Sequence, residues 1–439
     1  MKAQIDENLV QQLQSLLDAR VESYGNNGVS ACLIMPNGDL WQGTAGVGAM
    51  DLAMTDTTVF HGASTTKMNI ATLVLLMAQD GLIYLNQTWD YYLNLNVDFD
   101  PAITVRQLLS NTSGIKDYLE TSTAGDLITA DFNHAFTPTE ILENVVDGTP
   151  DFAAGTDFHY STSNYVLAAM IAESVSSNSL EEELRTRIWT PLGMHHTYFG
   201  GFESYAEPTS GVWWDFGSGV MNYSAVSQTS MLTFGYGGAN IVSTPTDLAK
   251  FVRAVVSGGF LSESSMTEML TFSSWSYGDW PAGYGLGIHN AYAFGENSVL
   301  GHDGYYTNMT DMFHSLDYGF TLVTMTNTQT SWFAIFNEMY EVISESITEQ
   351  VEQTESAVSL ELFPNPTSGL ITLVSNKGNG FIGSVCVFDA LGKLVYTTTN
   401  DQNNARLVVN LNALGSGIYT MEVITITGVR FTRRLSLLN

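Results

Sequence analysis

The stretch HGASTTKMNIATLVLLMAQDG, residues 61–81, is the most informative part of the sequence. Positions 68–77 are apolar nearly all round the helical wheel, which is typical of a helix buried on every side. Gly81 is a residue type that commonly ends a helix. The segment therefore predicts one buried helix, in which Lys67 is out of place, one turn in and three residues after Ser64.

The spacing of Ser64 and Lys67 places both on one face of a helix. A serine hydroxyl is a weak nucleophile without a base, and a lysine supplies that base when burial lowers its pKa toward neutrality. Gly62 and Ala63 leave room in front of the serine, and the helix dipole favours negative charge there. The simpler interpretation is a solvated lysine in a first helical turn, because Ser-x-x-Lys is a common pattern.

Other catalytic motifs are absent from the sequence. It has no Gly-x-Ser-x-Gly, His-Glu-x-x-His or Cys-x-x-Cys, so neither a nucleophile elbow nor a zinc ligand set is indicated. We therefore expect no metal and no cofactor. Cys32 and Cys386 lie in apolar, strand-like runs and are predicted to be buried free thiols.

Composition indicates a globular chain of two or three domains, with 439 residues, 44% hydrophobic and 14% charged. No apolar run is long enough to span a membrane. The net charge of −30 disfavours nucleic acid and anionic membranes as partners. Residues 358–439 hold six basic and four acidic residues, whereas residues 1–357 hold nine basic and 41 acidic residues. The two parts therefore look like different domains.

The pattern along the chain predicts an α+β fold for the first part. Strand-like runs near both ends enclose helical segments, which favours an antiparallel sheet flanked by helices plus a mostly helical subdomain. The first and last of these strands would share one sheet, and a last helix would run over residues 332–348. We predict a first domain over 1–348, a polar linker over 349–358, and a small all-β sandwich over 359–439.

Several further segments of the first domain resemble those of a known family. They are VRQLLSNTSGIKDY, FHYSTSNYVLAAMIAE, IWTPLGMHHTYF, GGANIVSTPTDLAKF, AGYGLGI and GHDGYY. Together with GASTTKMNIATL they resemble, in order over residues 10–345, the serine β-lactamase-like superfamily. That superfamily includes class C β-lactamases, DD-peptidases, D-aminopeptidases and family VIII esterases.

The resemblance implies a role for four side chains. Ser64 would be the acylated nucleophile, Lys67 its base, and Tyr160 the second proton-transfer group. His302 would line the site from the edge strand and hold the serine, lysine and tyrosine together. Without the resemblance, Tyr160 and His302 would be interpreted as ordinary structural residues.

The resemblance also implies an oxyanion hole. It would consist of the backbone N–H groups of Ser64 and Tyr305. Gly304 would permit the close backbone approach that this arrangement needs.

Two residues depart from the family pattern. Thr162 replaces the asparagine of a Tyr-x-Asn motif, which weakens the case for peptide or β-lactam substrates; the spacing of Asn164 argues against compensation. Asp303 stands where a serine or threonine hydroxyl often binds a substrate carboxylate. If Asp303 faced the site it would repel such a carboxylate, and strand alternation leaves open that it points away.

Loop aromatic residues offer a second substrate feature. They either line an apolar acyl or alcohol pocket or are ordinary packing residues. These residues are Trp213, Trp214, Tyr223, Tyr236, Trp275 and Trp280.

The C-terminal part carries FPNPTSG, DALGK and LGSGIY in order. Over residues 359–439 it resembles the type IX secretion C-terminal sorting domain of Bacteroidota. The resemblance implies export by that secretion machinery to a secreted or cell-surface location, with a signal peptide in the precursor. A carbohydrate-binding sandwich is the alternative, which the absence of tryptophan in this part disfavours.

These observations predict a secreted serine hydrolase that acts through a Ser64 acyl-enzyme. A carboxylesterase on short acyl esters ranks first, and a D-aminopeptidase, DD-peptidase or weak β-lactamase ranks second. A non-catalytic binding protein on the same fold is the third interpretation, which Thr162 favours and the other site residues oppose.

Overall fold

The structure is a computed structural model. It describes all residues except 1–4, 24–26, 147, 216–218, 274–282, 294–296, 329–332, 358–359, 376–380, 390–391, 401–404, 427, 429 and 439. The backbone contacts divide the chain into one compact unit over Gln4–Ile343 and another that includes Ser344–Asn439. Among the described residues, no helix combines the length and apolar character needed to cross a membrane.

The first unit is built on a six-stranded antiparallel sheet. Its strand order is β2-β1-β11-β10-β9-β8, and the two small sheets have the orders β3-β7-β4 and β5-β6. The strands are β1 (Gly28–Ile34), β2 (Leu40–Gly46), β3 (Phe60–His61), β4 (Tyr198–Phe199), β5 (Trp213–Trp214), β6 (Met221–Asn222), β7 (Ile241–Ser243), β8 (His289–Ala293), β9 (Asn297–Tyr305), β10 (Met309–Ser315) and β11 (Thr321–Thr326).

Helices flank the sheet and form a helical subdomain between β3 and β8. They are α1 (Glu7–Ser23), α2 (Thr65–Gln79), α3 (Val105–Leu109), α4 (Ala124–Ala130), α5 (Pro138–Glu140), α6 (Thr162–Ser174), α7 (Leu180–Leu184), α8 (Thr229–Phe234), α9 (Pro245–Val256), α10 (Glu263–Met269) and α11 (Ala334–Ala357). Helix α2 is buried along almost its whole length. It is the apolar helix that the sequence predicts.

The two faces of the sheet are covered by different helices. On β1, Ala31 and Cys32 point to opposite faces by strand alternation. Cys32 is hydrogen bonded to Thr246 of α9, whereas Ala31 pairs with Gly43, whose Cβ position would lie 2.9 Å from Leu17 of α1. Helices α9 and α1 therefore lie on opposite faces.

The second unit contains two antiparallel sheets with one core between them. The strands are β12 (Leu360–Phe363), β13 (Leu370–Ser375), β14 (Ile382–Phe388), β15 (Leu394–Thr399), β16 (Arg406–Asn410), β17 (Gly417–Thr425) and β18 (Arg430–Leu437). Their orders are β12-β13-β16 and β15-β14-β17-β18. Alternate residues such as Val385, Val387, Met421 and Val423 are fully buried in the core.

The predicted fold class is confirmed, including the pairing of β1 with β11 at opposite ends of the first part. The single helix predicted over residues 61–81 is wrong at its start, because positions 60–61 form β3 and the helix begins at Thr65. The last helix continues to Ala357 instead of ending at 348, so the segment expected to be a linker is helical up to that residue. The predicted limits of the domains stay a prediction.

The two cysteines differ in burial. Cys32 is a fully buried free thiol, as predicted. Cys386 is free but only half-buried, because its side chain lies on the less buried face of β14 beside the Thr397 hydroxyl, 3.5 Å away.

Candidate active site

Ser64 lies at the start of α2, on a tight turn after β3. Ala63, just before it, is fully buried and has a φ of 49°, a conformation that is costly for a residue with a side chain. The hydroxyls of Thr65 and Thr66 donate to the carbonyls of Gly62 and Ala63, each at 2.7 Å. These bonds stabilise the strained turn that presents Ser64.

Lys67 is fully buried beside this serine. Its Nζ donates to Ser64 Oγ at 3.1 Å and to the Gly238 carbonyl at 2.9 Å. Burial lowers the pKa of the Lys67 ammonium to about 7, although the carboxylates of Asp117 and Asp303 act to raise it. A large neutral fraction at physiological pH makes Lys67 able to accept the proton of Ser64.

Tyr160 completes the group. Its hydroxyl is hydrogen bonded to Ser64, and its ring centroid lies 4.7 Å from Lys67 Nζ. Burial raises the pKa of Tyr160 well above its usual range, despite the opposing effect of that hydrogen bond. Tyr160 is therefore a neutral phenol near pH 7, suited to pass a proton rather than to act as the resting base.

Strand β9 forms the other wall of the site. A Cβ on Gly304 would lie 2.6 Å from the Gly62 carbonyl, 2.9 Å from Ala63 Cβ and 3.1 Å from Ser64 N. Only glycine fits between the strand and the nucleophile turn. Tyr305 follows directly, so the two residues whose N–H groups were predicted to form an oxyanion hole flank this contact.

His302 is buried, but its ring nitrogens have partners other than the serine and lysine. Nδ1 lies 2.5 Å from the Asp303 carbonyl and must donate to it, so Nε2 accepts from the Tyr284 hydroxyl at 3.0 Å. Burial, together with nearby His289, lowers the pKa of His302 to about 3. The contact between His302 and Tyr160 is one between their rings, whose centroids lie 6.2 Å apart.

The prediction that His302 lies on the edge strand is wrong. Strand β8 is the edge, and it pairs with β9 over residues 297–301 only. His302 is therefore the first residue of β9 beyond the part that pairs with β8.

Asp303 points away from the nucleophile. Residues that pair across neighbouring strands share a face of the sheet, and the pairs Asp303–Asp311, Asp311–Thr324 and Thr324–Ala31 run across it. The Asp303 side chain therefore lies on the face that α1 covers, the face of Ala31. Gly304, which contacts the nucleophile turn, belongs to the opposite face. Asp303 Oδ1 bonds to His289 Nε2 at 2.9 Å. Burial acts to raise the pKa of Asp303, but the His289 bond and neighbouring imidazoles lower it below its usual value.

Thr162 does not contact Lys67 through a hydrogen bond in the structure. Its hydroxyl donates to Asp117 Oδ2 at 3.0 Å. Asn164 instead bonds to Ser113 and Asn111, which ties the loop before Asp117 to the start of α6. Asn164 therefore braces the segment that carries Tyr160 and does not replace the missing amide.

The aromatic residues predicted to line a pocket are dispersed. Trp214 packs on Tyr305 with ring centroids 4.7 Å apart, at the end of β9. Tyr223 packs on Phe132, and Tyr236 packs on Phe199 and bonds to Glu173. Trp275 and Trp280 lie outside the described residues.

One group among the described residues has the donor atoms for a metal ion. His289, His302 and Asp303 are all buried, and their candidate ligand atoms lie within 4.8 Å of one another. Two of these atoms are already joined by the Asp303–His289 hydrogen bond. The group is a hydrogen-bonded support of β9 in the structure.

Sequence reasoning missed Asp117, Gly238, Tyr284 and His289. Asp117 lies within the quoted segment VRQLLSNTSGIKDY, but nothing local distinguishes it from a surface acid. Gly238 and Tyr284 lie within GGANIVSTPTDLAKF and AGYGLGI, and His289 follows the latter, but tertiary packing alone brings these three residues to the site.

An antiparallel sheet, a helical subdomain and a serine–lysine–tyrosine group with a buried lysine define the class of Ser-x-x-Lys serine hydrolases. The chain belongs to the β-lactamase family, whose sequence model matches residues 13–342. Residues 361–436 match the family described as the secretion system C-terminal sorting domain. A sorting domain of this kind implies export.

Two groups of relatives are similar to this chain. The putative penicillin-binding protein PbpX of Bacillus subtilis (strain 168) is 28% identical over 236 residues, 53% of this chain and 54% of that protein. The chain thus spans about half the length of the curated relatives it matches.

The chain covers a larger share of two similar proteins whose structures have been solved. A D-stereospecific amidohydrolase from Streptomyces sp. is 28% identical, with a TM-score of 0.63, over 72% of this chain and 94% of that one. The D-amino acid amidase from Ochrobactrum anthropi SV3, complexed with L-phenylalanine amide, is 25% identical, with a TM-score of 0.66, over 79% and 99%.

Proposed function

We propose that this chain is a serine amidohydrolase that cleaves amides of D-amino acids through an acyl-enzyme on Ser64. The observation that carries the proposal is the Lys67 ammonium, buried and 3.1 Å from Ser64 Oγ. The similarity to a D-stereospecific amidohydrolase and a D-amino acid amidase, over nearly their whole length, supports the substrate class.

The reaction follows from the protonation states of three groups. Neutral Lys67 takes the proton of Ser64 as Oγ attacks the carbonyl carbon, and the resulting oxyanion faces the N–H groups of Ser64 and Tyr305. The bond to the amine then breaks as Tyr160 gives its proton to the leaving nitrogen and is reprotonated by the Lys67 ammonium. Water releases the acid by the reverse sequence.

Charge favours a substrate with a free ammonium group. The carboxylates of Asp117 and Asp303 both act on Lys67, and residues 1–357 carry 41 acidic against nine basic residues. A cationic amino acid amide is attracted to such a site, whereas a substrate carboxylate is repelled.

A carboxylesterase on short acyl esters is the second candidate. Thr162 favours it, because the position lacks the amide donor expected to bind a substrate amide. An ester also needs less help from Tyr160, since an alkoxide leaves more readily than an amine anion. A β-lactamase or DD-peptidase activity would require recognition of a substrate carboxylate.

The test compares D-phenylalanine amide, L-phenylalanine amide, p-nitrophenyl butyrate and nitrocefin. We expect hydrolysis of the D-amide, with a clear preference over the L-amide, and its loss in Ser64→Ala. Ser177→Ala, at an exposed position of the same subdomain, is the matched control. Ser64-dependent turnover of the butyrate alone would favour the esterase, and turnover of nitrocefin alone would contradict both candidates.

We also propose that the protein is secreted or held at the cell surface by type IX secretion. The match of residues 361–436 to a sorting domain supports this. Expressed behind a signal peptide in a Bacteroidota host with this pathway, the full chain is expected in the medium or on the surface. Deletion of 361–436 should retain it inside the cell, and equal export of both forms would contradict the proposal.

A further inference from the structure

Asp117 is a buried carboxylate that the reaction above does not use. It is 7% exposed and begins the short helical turn Tyr118–Glu120. Its Oδ1 accepts from Leu119 N at 2.9 Å, and its Oδ2 accepts from the Thr162 hydroxyl at 3.0 Å. Both oxygens are therefore fixed in position.

Thr162 connects Asp117 to the catalytic lysine. Its side chain is 1% exposed, and its Cγ2 would lie 2.3 Å from a Cβ on Gly238, so residue 238 must be glycine. The Gly238 carbonyl accepts from Lys67 Nζ at 2.9 Å. A continuous line of contacts thus runs from Asp117 through Thr162 and Gly238 to Lys67.

We propose that Asp117 is a positioning residue for Lys67: anchored on Thr162, its carboxylate holds the lysine side chain against Ser64 and the Gly238 carbonyl. Thr162, which departs from Tyr-x-Asn, is then the anchor of a carboxylate that stabilises the lysine from a distance. The inference rests on the Ser64 acyl-enzyme, but not on the identity of the substrate.

Several other groups face Lys67, and they differ from Asp117 in charge or in position. They are the Ser64 hydroxyl, the rings of Tyr160 and Tyr165 at 4.7 and 5.7 Å, the Gly238 carbonyl, His302 and Asp303. Tyr160, Tyr165 and His302 are uncharged near pH 7 because burial raises the phenol pKa values and lowers that of the imidazole. Asp303 is bonded to His289 on the other face of the sheet, which leaves Asp117 as the carboxylate on the lysine's own side.

The charge of Asp117 acts against the effect of burial. Burial lowers the pKa of Lys67 to about 7, and the first of the two carboxylates that raise it is Asp117. Removal of that charge would let Lys67 lose its proton at a lower pH. A purely structural residue would not have this effect.

The experiment measures phosphonylation of Ser64 by a fluorophosphonate probe between pH 5 and 9. In that reaction the Oγ–P bond forms, the P–F bond breaks, fluoride leaves and the serine proton goes to Lys67. Asp117→Asn keeps the shape of the side chain and removes its charge. We expect its rate to rise with pH about one unit earlier than in the wild type, with a plateau about tenfold lower because Lys67 is less well held.

Two variants of Thr162 separate anchor from charge. Thr162→Val removes the hydroxyl and should lower the plateau with a smaller pH shift. Thr162→Ser keeps the hydroxyl that anchors Asp117 but loses the Cγ2 methyl beside Gly238, so it should keep the pH midpoint of the wild type and have a plateau above that of Thr162→Val. Glu120→Gln, on the same turn as Asp117, removes a carboxylate that does not face Lys67 and is the matched control. It should leave the profile unchanged.

An unchanged pH profile in a folded Asp117→Asn, judged by its thermal transition, would overturn the proposal. A lower transition temperature with a lower rate at every pH and no shift would also overturn it, since that result indicates packing alone. Normal probe labelling without turnover of D-phenylalanine amide would contradict only the proposed substrate. Absence of labelling in the wild type would contradict the Ser64 mechanism itself.

Discussion

Lys67 shows at the level of one residue how burial creates a base. Because the pKa of its ammonium is lowered to about 7, and because the neutral amine is the reactive form, kcat/KM should rise with pH and level off above about 7. Lys67→Arg keeps a cation that does not lose its proton, so we expect a loss of 10²- to 10⁴-fold. Lys393→Arg, at an exposed position, is the control. A pH-independent kcat/KM between 5 and 8 would exclude Lys67 as the base.

Gly304 is the second residue whose identity is fixed by the site. A methyl group there would meet the Gly62 carbonyl at 2.6 Å, so Gly304→Ala must push β9 away from the nucleophile turn. We expect kcat/KM to fall at least 100-fold, comparable to loss of an oxyanion-hole donor. Gly417→Ala, on a strand of the second unit with more space, is the control. Wild-type kinetics in Gly304→Ala would show that this contact does not position the site.

At the level of elements, the sequence predicts what local periodicity determines. The burial of α2 and the proximity of Ser64 and Lys67 follow from spacing along one helix. The turn sequence Pro36-Asn37-Gly38 predicts a hairpin, and β1 and β2 on either side of it are paired. Strand alternation places His302 and Asp303 on opposite faces of β9. Which face meets the nucleophile depends on pairing with distant strands, so sequence alone could not decide whether Asp303 faced the substrate.

Asp311, which pairs with Asp303 of β9, makes the free energy of unfolding depend on pH. Burial and the neighbouring Asp303 carboxylate raise the pKa of Asp311 to about 7 from an ordinary value of 3.8. The folded protein therefore holds a proton that the unfolded chain has lost between these values, so this group destabilises the fold as pH rises from about 4 to 7.

Asp311→Asn removes this dependence while keeping an acceptor for the Thr324 hydroxyl, which lies 3.0 Å away. At pH 8 we expect the variant to be more stable by up to about 4 kcal/mol, the free energy that a shift of about three pKa units represents. At pH 4 the difference should be small. Denaturant unfolding at both pH values measures it, with exposed Asp126→Asn as control. Equal stability of variant and wild type at pH 8 would contradict the raised pKa.

On the scale of the whole molecule, each unit has its own hydrophobic core. The cluster around α2 and the cluster between the two C-terminal sheets share no residue. A chain ending at Ala357 should therefore keep kcat/KM within about twofold of the full chain and lose one thermal transition. Calorimetry and amide hydrolysis test this together. Inactive but folded truncated protein would mean that the second unit contributes to catalysis.

The net charge of the molecule is divided unevenly along the chain. Residues 1–357 have a balance of −32, whereas residues 358–439 have +2. Repulsion among the charges of residues 1–357, most of which lie in the first unit, destabilises that unit at an ionic strength of about 0.01 M, where the screening length is about 30 Å. The repulsion is weaker at 0.15 M, where the screening length is about 8 Å. Between these conditions the transition of the first unit should rise by about 2–4 °C, the change that roughly 1 kcal/mol produces. The transition of the second unit, in the same sample, is the control, and an equal rise in both would indicate a general salt effect instead of relief of repulsion.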